Sequence, residues 1–139
     1  MVSPYKDQRE SFKKTYIMKK KYALFIGRWQ NLHEGHLWLF NQKLKEGLPI
    51  IIMIRDVQVD ENNPRSADTV IQVLQIHFEH FIAAGRVKLM IIPDIEGVYY
   101  GRDVGYKVEQ LIPPQEIAEI SGTKIRQQLK EQEDKKTNI

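Results

Sequence analysis

The chain contains no cysteine. That absence excludes disulfides, thiolate metal sites and cysteine nucleophiles outright. Long apolar runs are missing as well: the longest, Pro49–Ile54, has the length of a strand and falls far short of a membrane span. The N-terminus is polar and lacks the apolar stretch of a secretory signal, so a cytoplasmic address and no membrane partner are expected. There is no glycine-rich Walker loop, no serine nucleophile with a partner base, no internal repeat and no low-complexity tract.

What is present fits one compact domain. The 139 residues are 42% hydrophobic and 28% charged, enough to bury a core without staples. The formal net charge of +3 is unevenly placed. Residues 1–21 hold Lys6, Arg9, Lys13, Lys14, Lys19, Lys20 and Lys21 against Asp7 and Glu10, a net +5, which leaves −2 for the remainder. A nucleic-acid binder spreads its basic face over the folded body. Here the body is slightly acidic, so no specific nucleic-acid partner is expected. The chain divides into a basic tail over residues 1–20, a folded domain over 21–132 and a charged tail over 133–139.

Lys21–Gly27 is a short apolar run ended by glycine and reads as a buried strand. Glu34–Glu46 reads as a helix, with Leu37, Phe40 and Leu44 on one face and Gly47 as its stop. Ile50–Ile54 is a second buried strand. After the polar loop Asp56–Arg65, Ser66 caps a helix in which Val70, Val73, Leu74, His77, Phe78 and Phe81 recur with helical period until Gly85. Val87–Ile92 is a third strand closed by Pro93, and Tyr106–Ile112 alternates like a fourth. Ser121 caps a last helix that runs to about Lys130. Alternating strands and helices predict a parallel, doubly wound α/β sheet of about four to five strands. In such sheets ligands lie beyond the carboxyl ends of the strands, so Arg28–His33, Arg55–Arg65, Pro93–Gly105 and Pro114–Gly122 are the loops to search.

Two of these loops carry chemistry. Gly27–His36, G-R-W-Q-N-L-H-E-G-H, leads from the first strand into the first helix. His33 and His36 sit at a helix start, where backbone N–H groups and the helix dipole favour an anion, and Gly35 has no side chain to block a phosphate. Imidazoles there can donate to phosphate oxygens as charge develops. Taken alone, the spacing fits equally well one histidine that caps the loop and another that packs on the sheet. Ile120–Arg126, I-S-G-T-K-I-R, opens the last helix: Ser121 and Thr123 supply hydroxyls, and Arg126 can grip a phosphate through two nitrogens. By itself it is also an ordinary serine cap before a solvated basic face.

Together, in this order and context, the two segments resemble the nucleotidyltransferase superfamily of cytidylyltransferase and nicotinamide-mononucleotide adenylyltransferase type. Its members carry a G-R-F-Q-P-x-H-x-G-H or G-x-F-D-x-x-H-x-G-H motif and a later I-S-x-T-x-I-R motif. Asn63-Pro64-Arg65-Ser66 is similar to the N-P-F-T of the adenylyl branch, and Ile92-Pro93-Asp94-Ile95 to its I-P-D-I. The resemblance spans about residues 21–130 and implies a Rossmann-like sheet. It further implies transfer of AMP or CMP from ATP or CTP to a small phosphorylated or phosphonylated acceptor, with release of pyrophosphate. His33, His36 and Arg126 would be catalytic, His36 nearest the α-phosphate. Gly27, Arg28, Trp29, Gln30, Gly35, Ser121, Gly122 and Thr123 would bind the nucleotide, and Mg²⁺ would accompany the triphosphate on its own oxygens and water.

The sequence departs from this pattern at named positions. Asn31 stands for the usual proline, which implies a less rigid loop; Gly122 replaces a common serine; and Val70 stands where an arginine is frequent. Tyr106 lies only 13 positions after Pro93, too close for an extra helical crossover. Arg55, Asp56, Tyr99, Tyr100 and Arg102 follow strand ends and are candidates for an acceptor or base pocket, against an ion pair and aromatic loop packing as the plainer readings. His77, Glu79 and His80 lie within an amphipathic helix, and no protein metal site is expected. The alternative to an enzyme is a non-catalytic nucleotide-binding module of a larger assembly, and a homo-oligomer is left open. A third reading, nucleic-acid binding through the tail, predicts steep salt dependence.

Overall fold

The computed structural model describes residues 20–103 and 105–118. The segment Ile120–Arg126, with Ser121, Gly122, Thr123 and Arg126, and the two tails apart from Lys20 lie outside the described residues. Three strands, β1 (Ala23–Gly27), β2 (Ile50–Asp56) and β3 (Val87–Pro93), form a parallel sheet in the order β1-β2-β3. Parallel neighbours need a crossover. Helix α1 (Glu34–Leu44) supplies the first; α2 (Ala67–His77) with the short α3 (Glu79–Ala83) supplies the second. A single turn, α4 (Gln115–Ala118), follows.

The register explains the core. Phe25 lies opposite Ile52, and Ile52 opposite Leu89, so alternate residues of all three strands share one face. Ile50, Ile52 and Ile54 are fully buried there. They pack in one cluster with Ala23, Phe25, Val87, Leu89 and Ile91, with Phe40 and Leu44 of α1, and with Ala67, Val70 and Leu74 of α2. Each such isoleucine stabilises the fold by about 1.5–3 kcal/mol. The cap at Ser66 and the glycines that follow the helices are those legible in the sequence. The Ser66 hydroxyl accepts from the Thr69 N–H at 3.2 Å, and Gly47 and Gly85 take positive φ of 84° and 73° just past α1 and α3. Arg86 donates to the Leu44 carbonyl at the end of α1.

Several expectations are corrected. Among the described residues the sheet has three strands, not four to five, and Tyr106–Ile112 forms no strand. Its alternating residues Tyr106, Val108 and Ile112 are all largely exposed, so among the described residues the pattern covers no core. Double winding is likewise not seen among them: α1 and α2 both pack on the face of Ile52. Leu24, Ile26, Ile51, Met53, Met90 and Ile92 point to the opposite face and stay outside the core cluster. The helix expected up to Gly85 breaks where Phe78 leaves helical geometry at φ −102°, ψ 19°, its ring 5.8 Å from Phe40 in the core. Part of the expected loop Pro114–Gly122 is the turn α4. No described helix is long and apolar enough to cross a membrane.

Candidate functional site

β1 ends at Gly27, and the six residues to His33 carry the chain from the carboxyl end of the sheet to the start of α1. His33 is the N-cap: its extended backbone (φ −143°, ψ 174°) places Nδ1 to accept from the Gly35 N–H at 3.0 Å. That bond puts the ring proton on Nε2. His36 stacks on His33, with ring centroids 3.7 Å apart and planes 25° from parallel. His33 Nε2, His36 Nδ1 and Asn31 Nδ2 are buried without a hydrogen-bond partner. Among the described residues no other side chain has such an atom. An unsatisfied buried polar group costs about 1–3 kcal/mol, so these three atoms within residues 31–36 call for a polar partner, ordered water or a ligand.

The electrostatics follow from burial. Desolvation, and secondarily the neighbouring His33, hold the His36 imidazole down to about pKa 4, and desolvation also lowers His33. Both rings are therefore neutral at pH 7. The unfolded chain takes up a proton at position 36 once the pH drops below about 6.5, whereas the folded chain resists protonation until about 4. Stability is thus fully present above that window and lost as pH falls through it. The loss from His36 amounts to at most roughly 3 kcal/mol. Urea midpoints measured at pH 7 and pH 4 should fall further in the parent than in His36→Ala.

The loop before the histidines is fastened to the loop after β2. Gln30 is buried and forms two hydrogen bonds with the Arg65 backbone: its Oε1 accepts from the N–H at 2.9 Å, and its Nε2 donates to the carbonyl at 3.0 Å. Arg28 donates to Asn63 Oδ1 at 3.0 Å, and Arg65 Nε donates to Asn31 Oδ1 at 3.0 Å. Asp60 in turn accepts from the N–H groups of Asn62 and Asn63. Asn31 takes part in that fastening through its side-chain oxygen. Trp29 is buried and faces inward, and its Nε1 donates to the Met53 carbonyl at 2.9 Å. A cavity of about 360 Å³ opens beside this loop, with Leu32, Val70, Val73 and Leu74 as apolar walls and Asn31 and Arg65 as polar ones.

The remaining candidates are not all brought together. The structure unites Gly27, Arg28, Trp29, Gln30, His33, Gly35 and His36 in one loop and helix start, with the Gly35 N–H engaged by His33. Arg55 is half-buried and ion-paired, its Nε and a terminal nitrogen 2.9 and 2.7 Å from Asp94 Oδ1, which ties the end of β2 to that of β3. Asp56, Tyr100 and Arg102 are exposed, and Tyr99 folds its hydroxyl onto Glu96. No hydrogen bond or ring contact joins Tyr100 or Arg102 to the histidines among the described residues. Asn63, Arg65 and Asp60 were missed as parts of the site. The signal was the Asn63-Pro64-Arg65-Ser66 stretch, but nothing in it shows that it would fasten the first loop. No protein-family model and no curated protein matches this sequence.

Proposed function

We propose that the chain is a nucleotidyltransferase that moves AMP or CMP from ATP or CTP to a small phosphorylated or phosphonylated acceptor. The observation that carries this reading is the set of unpartnered buried atoms on Asn31, His33 and His36 at one helix start beyond a strand's carboxyl end. In the proposed step an acceptor oxygen attacks the α-phosphorus. The bond from the α-phosphorus to the bridging oxygen breaks, and its electron pair leaves with pyrophosphate. His33 donates through Nε2–H to a phosphate oxygen, and His36 stabilises charge that grows on the α-phosphate. A bound triphosphate draws positive charge onto these rings and raises their affinity for a proton.

The imidazole and amide nitrogens at the site suit phosphate oxygens, whereas Mg²⁺ prefers oxygen ligands. Glu34 and Asp56 are both exposed, and no cluster of three potential metal ligands occurs among the described residues. Mg²⁺ would accordingly be held by phosphate oxygens and water and would supply charge neutralisation there. A cavity of about 360 Å³ beside the loop favours a small acceptor. The reading places the reaction in the cytoplasm on a Rossmann-like sheet.

By the same resemblance Arg126 holds the β- and γ-phosphates. A guanidinium can bind two phosphate oxygens at once, and lysine offers only a point charge. Arg126→Lys should weaken triphosphate binding by about tenfold or more and leave the corresponding monophosphate nearly unchanged. Calorimetric titration of ATP, CTP, AMP and CMP into both proteins tests this. Equal weakening of triphosphate and monophosphate removes Arg126 from the terminal phosphates. Failure of the parent to bind any triphosphate removes the proposed function.

A further inference from the structure

We propose that Trp29 acts from behind the site as a wedge that positions the His36 imidazole, with Gly27 as the seat of that wedge. What His36 does there rests on the nucleotidyl-transfer reading; the wedge itself rests on geometry.

Four observations converge. First, Trp29 has a positive φ of 47°, and no other described residue except glycine does. A bulky aromatic in that region stores about 1–3 kcal/mol of strain and persists only where its surroundings enforce it. Second, the indole lies directly on Gly27: a Cβ there would sit 2.7 and 2.8 Å from Trp29 Cε2 and Cζ2. The missing side chain of Gly27 is required by the indole, whatever it offers a phosphate. Third, Nε1–H donates to the Met53 carbonyl, which fastens the ring to β2. Fourth, the ring meets His36 edge to face, with centroids 5.1 Å apart at 86°, and is backed by Phe40 at 4.8 Å.

His36 Nδ1 has no hydrogen bond to fix the ring. Its orientation is therefore set by packing between Trp29 and His33, the ionisable group stacked upon it, while Glu34 on the same helix is exposed. At 9% exposure the indole is not free to stack on a base. Trp29 is a positioning residue.

The test follows the His36 ring by NMR in the labelled full chain, through its titration and its tautomer, with Gly27→Ala, Trp29→Phe and Trp29→Leu compared with the parent. The parent ring should titrate near pH 4, as its burial implies. In Gly27→Ala and Trp29→Leu water reaches the ring, and its midpoint should rise toward 6.5 with mixed tautomers. Trp29→Phe, which keeps the ring and loses Nε1–H, should fall between. Turnover should drop about 10²-fold with a smaller change in KM for the triphosphate, as expected for a displaced group. An unchanged His36 midpoint and tautomer in variants that still unfold cooperatively overturns the wedge. If Trp29→Leu does not fold, Gly27→Ala and Trp29→Phe decide. The titration judges the wedge even where no triphosphate binds, so the two readings fail separately.

Discussion

Replacing His36 with alanine is expected to lower turnover by about 10²-fold or more, the scale of one lost transition-state donor. The ring sits at the start of α1, neutral at pH 7, with Nδ1 buried and unpartnered. No described residue bonds to that nitrogen, so its removal takes away the proposed ligand contact and no internal hydrogen bond among the described residues. The edge contact with Trp29 is lost, yet the cost to folding should be small because a buried polar atom without a partner is removed with it. Single-turnover pyrophosphate release and a urea transition at pH 7 separate the two effects. Equal turnover in mutant and parent would take His36 out of the chemistry.

Phe40→Ala should have the largest effect on stability, about 3–5 kcal/mol. Phe40 is completely buried and meets Phe25 at 5.3 Å, Trp29 at 4.8 Å and Phe78 at 5.8 Å. Alanine leaves a cavity at the meeting point of β1, α1 and Phe78, where surrounding rings can collapse only in part. Domains of this size are stable by about 5–15 kcal/mol, so the loss is a large share of the total. It also removes the support behind Trp29, and nucleotide binding should weaken in the molecules that remain folded. Denaturant unfolding gives the first quantity and calorimetry the second.

Much of the fold was legible because burial and backbone geometry leave marks in local sequence. The β-branched run Ile50–Ile54, the cap at Ser66 and the stops at Gly47 and Gly85 each state a local requirement, and the structure meets each one. Tyr106–Ile112 misled because alternation reports a strand only when one face has something to cover it, and these side chains are exposed. That His33 and His36 share a helix start was legible in the apolar period that follows Glu34. The fastening of Gln30 to Arg65 was not: its two hydrogen bonds join residues 35 positions apart, and neither residue type demands the other. Arg55 was readable either as an acceptor contact or as an ion pair, and the structure pairs it with Asp94, 39 positions away. Trp29 entered as a nucleotide contact through the resemblance alone. Only its positive φ and the absent Cβ of Gly27 reveal that it turns inward.

The central claim is that this helix start catalyses nucleotidyl transfer, and pyrophosphate release tests it most directly. The full chain is incubated with ATP or CTP, Mg²⁺ and a panel of phosphorylated and phosphonylated acceptors, and pyrophosphate is measured against reactions lacking each component. The account predicts release with one of the two nucleotides that requires both Mg²⁺ and an acceptor, with the nucleoside monophosphate recovered on that acceptor and the signal nearly abolished in His36→Ala. Release that is unchanged in His36→Ala, or a parent protein that binds neither triphosphate and releases no pyrophosphate across the panel, would contradict it.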